Sequence, residues 1–102
     1  MDNEIIPMAE QPPVFQAMPE GAARLNVTWS GQNGDLPDPV PYDATDGDLK
    51  QMAAEAVTNG YIPGIGADAA VNLTDFIVDR YAATADIPYS RVFIRPKTPF
   101  GA

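Results

Sequence analysis

The side chains able to do chemistry here are almost all carboxylates. Fourteen Asp and Glu stand against six Lys and Arg, and the chain has neither cysteine nor histidine. Disulfides, thiol nucleophiles, Ser-His or Cys-His catalysis and zinc sites of the Cys/His type are therefore excluded within it. The carboxylates fall in pairs, Asp35/Asp38, Asp46/Asp48 and Asp75/Asp79. A general acid needs a cleft that raises its pKa, and these pairs lie where turns, a helix cap and a solvated surface are expected. The chain is accordingly read as not an enzyme. Asp43, Asp46 and Asp48 lack the spacing of an EF-hand loop, and a helix start accounts for the last two, so no metal is expected. Gly64-Ile65-Gly66 has neither the preceding strand nor the following Lys-Ser/Thr of a phosphate loop. It reads as a turn, and no cofactor is expected.

The remaining chemistry sits in the cations. A net charge of −8 opposes unaided binding to a phosphate backbone and suits a partner with a basic surface. Against that background the run from Ser90 to Ala102 reverses sign. It carries Arg91, Arg95 and Lys97, half of the cations, and no acid. No stretch reaches the length of a membrane-spanning helix, and Met1-Asp2-Asn3-Glu4 has the wrong charge for a signal peptide. The expected location is cytoplasmic, with no membrane and no nucleic-acid partner. Asn26-Val27-Thr28 and Asn72-Leu73-Thr74 match the glycosylation sequon, yet each lies in an apolar pattern that explains it better.

These residues need elements to position them. Residues 1–22 carry Pro7, Pro12, Pro13 and Pro19 without sustained periodicity, and read as a flexible leader. Ile5, Ile6, Val14, Phe15 and Met18 would allow it to dock on a partner. From Arg24 to Trp29, Leu25, Val27 and Trp29 alternate with polar residues, the period of a half-buried strand. Asn33-Gly34 predicts the hairpin turn that follows. Leu36 to Tyr42 holds three prolines and can only be an edge strand or an extended segment.

Thr45 is placed to cap a helix, with Asp46 and Asp48 in its first turn. Leu49, Met52, Ala53, Ala56 and Val57 form one apolar stripe, and Gly60 ends it. Tyr61 to Gly66 reads as a loop with apolar anchors. A short turn or helix is expected around Ala67 to Asn72, then a strand from Asp75 to Tyr81, a polar connection over Ala82 to Pro88, and a last strand from Ser90 to Arg95.

Hairpin, capped helix, loop, strand and final strand follow one another in the order of the β-grasp fold, an α+β class with a mixed sheet wrapped around one main helix. Parallel pairing of its first and last strands needs a long crossover, which the helix and loops supply. On these features the chain resembles ubiquitin-like proteins, over about residues 24 to 101. Tyr61-Ile62-Pro63 looks like the Ile-Pro loop after ubiquitin's main helix, and Arg91-Val92-Phe93-Ile94-Arg95 like its arginine-flanked last strand. The resemblance implies a domain at 23–96, an extended tail at 97–102, and a role as a bacterial-type protein modifier.

Gly101 would then carry the carboxylate that an adenylating activating enzyme uses to form an isopeptide bond with a target protein, through a conjugating enzyme. A glycine suits that site because it presents no side chain. The family ends in two glycines, whereas this chain has Phe100-Gly101 followed by Ala102, so a processing peptidase would have to remove Ala102. Arg91, Phe93, Arg95, Lys97 and Phe100 are the expected partner-binding residues, with Tyr81 beside Phe93. Lys50 and Lys97, the only lysines, are the candidate acceptors. The alternative is a non-conjugated acidic interaction or assembly module that binds partner proteins through its two terminal arms.

Overall fold

Alternation builds the first strand. In β1 (Ala22–Trp29) the side chains of Ala23, Leu25 and Val27 are fully buried, while Arg24, Asn26 and Thr28 point to the other face. The computed structural model describes residues 18–97; expectations placed on residues 1–17 and 98–102, including those for Phe100, Gly101 and Ala102, lie outside the described residues.

β2 (Gln32–Asp35) returns antiparallel to β1 with Trp29 opposite Gln32. The turn between them is Ser30-Gly31, at φ 55° and 77°. Two successive left-handed residues are the hairpin geometry that matches the twist of paired strands. This corrects the expectation that Asn33-Gly34 makes the turn. Both lie inside β2, and Gly34 is glycine for another reason: a Cβ there would sit 2.1 Å from the carbonyl oxygen of Pro63. The proline-rich run stays at the edge as expected. The Leu36 amide donates to the Leu25 carbonyl at 2.9 Å, and β3 (Val40–Pro41) pairs with Ala23 and Ala22.

Helix α1 (Asp46–Thr58) begins where the Thr45 hydroxyl accepts from the Asp48 amide at 3.1 Å. Leu49, Ala53, Ala56 and Val57 are its buried stripe. It ends at Gly60, φ 71°, with the Gly60 amide donating to Val57 and the Tyr61 amide to Ala56. These two bonds form a Schellman motif, which satisfies carbonyls that the helix leaves open.

Beyond the helix, Ile62, Ile65 and Leu73 anchor the loop in the core. No helix forms over residues 67–72, where a turn or helix was expected; residues 69 and 70 make a turn. The Asp68 carboxylate accepts from the Ala70 amide and the Asn72 side chain from the Thr74 amide. Such local side-chain bonds compete with helical pairing. β4 (Ile77–Tyr81) starts two residues later than the Asp75 expected, because residues 74 and 75 form a turn closed by the Phe76 amide on the Leu73 carbonyl.

β5 (Ser90–Arg95) runs parallel to β1 and antiparallel to β4. The five strands form one mixed sheet in the order β2-β1-β5-β4, with β3 also on β1. α1 packs on one face: Leu49, Ala53 and Val57 share a single core with Leu25, Val27, Val92 and Ile94. The class is α+β, a β-grasp-like sheet around one main helix. Its other face carries every second residue of β1, β4 and β5, away from that core.

Candidate partner-binding face

Strand register brings the outer-face residues together. Arg91 of β5 lies beside Arg24 of β1 and opposite Tyr81 of β4; Phe93 lies between Asn26 and Asp79. The Tyr81 and Phe93 rings meet edge to face, their centroids 5.6 Å apart. The Arg91 guanidinium carbon sits 5.3 Å from the Tyr81 centroid and 5.8 Å from that of Phe93. A cation held against aromatic faces gains about 0.5–1 kcal/mol at an exposed site. Tyr81 is 48 % exposed, one of only two large apolar side chains so open among the described residues.

Ion pairs flank this cluster. Arg95 donates to Asp79 at 2.8 Å, and Arg24 to Asp35 at 2.9 Å. Asp35 also accepts from the Asn26 amide at 2.7 Å. Asn26 and Asn33 exchange side-chain hydrogen bonds in both directions, at 3.0 and 2.8 Å, and Asn33 donates to the Thr28 hydroxyl as well. Arg80, on the helix-side face, bonds the Tyr42 carbonyl and Asp46. Arg91 differs from all of these. Its Nε is shielded from solvent and has no acceptor among the described residues. Leaving a buried donor without a partner costs roughly 1–3 kcal/mol.

Two hollows open on either side of this arginine. The larger, about 620 Å³, is lined by Thr28, Asn33, Asp79, Tyr81 and Arg95 together with Arg91, Phe93 and Asn26. The smaller, about 280 Å³, lies toward Arg24, Asp35 and Tyr89 and shares those same three residues. Arg91 and Phe93 thus form the ridge between them.

Of the residues expected to bind partners, Arg91 and Phe93 come together with Tyr81. Arg95 is taken up by Asp79, Lys97 is exposed near the end of the described residues, and Phe100 lies beyond them. Of the acceptor lysines, Lys50 is half-buried and donates to the Thr74 carbonyl at 2.9 Å. Asn26, Asn33 and Arg24 were not among the residues expected from the sequence to bind partners. The alternation that buries Leu25 and Val27 was the signal that turns Arg24 and Asn26 to this face.

Of the paired acids of the sequence, Asp35, Asp46 and Asp79 are in ion pairs, Asp48 lies in the first turn of α1 and Asp75 in a turn. Among the described residues no three of Asp, Glu, His or Cys gather in a way that could hold a metal ion, and no helix is long and apolar enough to cross a membrane. Among the described residues one carboxyl is perturbed. The Trp29 indole donates to Asp68 at 2.8 Å, and that bond, with a second from the Ala70 amide, holds the Asp68 carboxyl below its ordinary value. It fastens the loop after α1 to the end of β1. Compared with known protein families, curated proteins and solved structures, the chain matches none of them.

Proposed function

We propose that this chain is a ubiquitin-like protein modifier whose sheet face is recognised by partner proteins and whose C-terminal segment is joined to its targets. The observation that carries the reading is the strand order β2-β1-β5-β4. It sets β5 inside the sheet, parallel to β1, and sends the chain out of the sheet at Arg95 into exposed Pro96 and Lys97. A segment leaving a central strand reaches a narrow activating site without unfolding the domain. Pro96 favours an extended course as the chain leaves the sheet.

On this reading Gly101 is the residue whose carboxylate is activated, once Ala102 is removed. An adenylating enzyme, a conjugating enzyme and a peptidase are the partners it requires. A mixed anhydride forms at the Gly101 carboxylate with loss of pyrophosphate from ATP. A partner thiol displaces AMP, and a target amine then displaces the thiol to give the isopeptide bond. Nothing in this sequence asks the chain for a catalytic residue.

A second reading, a non-conjugated interaction module, is favoured by the cluster of Arg91, Tyr81 and Phe93, which can bind a partner without any covalent step. Co-expression with the native gene neighbours separates the two. The modifier reading expects intact mass to show loss of Ala102, and higher-mass adducts that vanish in Gly101→Glu. A chain that forms no adducts and keeps Ala102 overturns it in favour of the second reading.

A further inference from the structure

We propose that Arg91 is the receptor for a carboxylate, an Asp or Glu side chain within an extended, apolar-flanked segment of a partner protein. The inference rests on reading the outer sheet face as a protein-binding surface, and it names the chemistry that surface selects.

Among the described residues Arg24, Arg80 and Arg95 each hold an aspartate, and Arg91 holds none. Its Nε donates to nothing. That shielded Nε is out of reach of an outside acceptor, so the terminal Nη groups, which hold no aspartate among the described residues, are the donors left for a partner. The rings of Tyr81 and Phe93 contact the guanidinium. Stacking engages the π face of a guanidinium and leaves its N–H edge for hydrogen bonds. The terminal Nη edge fits a planar carboxylate end-on, with two parallel bonds.

The neighbouring charges sharpen the choice of ligand. Asp79 and Asp35 share this face but are already held by Arg95 and Arg24, so neither quenches Arg91. Arg24 stands next to Arg91 in the parallel register, its own charge paired with Asp35. Phe93 and the open ring of Tyr81 supply the apolar contact for residues flanking the acid. The hollows on either side of the Arg91–Phe93 ridge give an extended segment room to cross it.

The test uses the ¹⁵N-labelled full chain and two blocked peptides, acetyl-Ile-Glu-Ile-amide and its Gln twin, followed by NMR titration. The Glu peptide is expected to shift the Arg91 Nε–H resonance and the Phe93 amide. The Gln twin should bind about tenfold more weakly, as a neutral acceptor replaces a charged one. Arg91→Gln should abolish the difference between the twins, and Arg91→Lys should restore only part of it. Amide spectra of both variants that match the parent away from this face establish that they fold.

Equal binding of the twins, a Glu preference that survives Arg91→Gln, or a Glu peptide that leaves the face unmoved overturns the proposal. So does inorganic phosphate binding at Arg91 more tightly than the Glu peptide. The adduct assay on Gly101→Glu is independent of these titrations. A chain that forms no adducts yet prefers the Glu peptide loses the modifier reading and keeps the receptor, and the converse result does the opposite.

Discussion

Replacing Gly34 with alanine should be the most damaging single-methyl change in the domain. The added Cβ would meet the Pro63 carbonyl oxygen at 2.1 Å, Ile62 Cγ2 at 2.8 Å and the Pro63 carbonyl carbon at 3.3 Å. Ordinary carbon–oxygen contacts begin near about 3.3 Å, so strand and loop must part by roughly 1 Å. The loop cannot lift freely, because Ile62 is only 2 % exposed and belongs to the core. Overpacking costs about 1–3 kcal/mol, and a clash with backbone places this case near the upper figure. In a domain of this size about 3 kcal/mol corresponds to a fall of roughly 12–24 °C in Tm.

Two other glycines calibrate the measurement. Gly31 has open space but φ 77°, so Gly31→Ala should cost about 1 kcal/mol for the left-handed conformation alone. Gly47 lies in α1 with open space and no positive φ, so Gly47→Ala should gain about 0.5–1 kcal/mol. Urea unfolding followed by the fluorescence of Trp29, the sole tryptophan, reads all three. If Gly34→Ala loses no more than Gly31→Ala, the close approach of β2 to the loop is refuted. Gly64, at φ 96° with its Cβ position 2.5 Å from the Asn33 carbonyl oxygen, forms the other half of that approach. The double variant should therefore lose less than the sum of the single losses, since one separation of strand and loop accommodates both methyls.

Two further outcomes concern the loop and the helix. The bond from Trp29 depresses the Asp68 carboxyl, so its stabilisation is fully present above the unfolded value of about 3.9 and is lost as pH falls through the lower folded value. Asp68→Asn keeps an acceptor but cannot titrate, so stability should decline less steeply below that pH; an unchanged acid slope would show that the bond is not formed. Thr45→Ala removes the cap of α1 and should cost about 1 kcal/mol in the same urea assay, whereas a loss within experimental error would mean that the Asp48 amide finds water as readily.

What could be read in the sequence follows from the range of each interaction. The cap at Thr45, the stripe of α1 and its end at Gly60 depend on contacts a few residues apart, and all three appear in place. The alternation in β1 and β5 also survives, because burial of one sheet face enforces it. The hairpin turn was misplaced for a reason outside the hairpin. Asn33-Gly34 has turn chemistry, but Gly34 answers to Pro63, twenty-nine positions later in the chain. Residues 67–76 were equally beyond local reasoning: Leu73 is buried and Asp68 meets Trp29, and neither relation leaves a periodic trace. At the candidate site, the alternation placed Phe93 outward. Only the register of β4 on β5 set Tyr81 and Arg91 side by side.

That register also organises charge. The chain is acidic overall, at −8, yet three of its four arginines, Arg24, Arg91 and Arg95, lie on the one sheet face that α1 does not cover. The aspartates on that face, Asp35 and Asp79, are spent on two of them. The first turn of α1 carries Asp46 and Asp48, and the basic residues expected to balance a helix C-terminus are absent from its last turn. An approaching protein therefore meets two surfaces of opposite character. On the reading proposed above, an acidic partner segment is drawn to the sheet face over distances up to about 8–10 Å at physiological salt. A carboxylate drawn to the sheet then finds Arg91, the one arginine of that face that holds no aspartate among the described residues. Long-range field and short-range need thus coincide at Arg91, and that coincidence gives the outer face a direction as well as a surface.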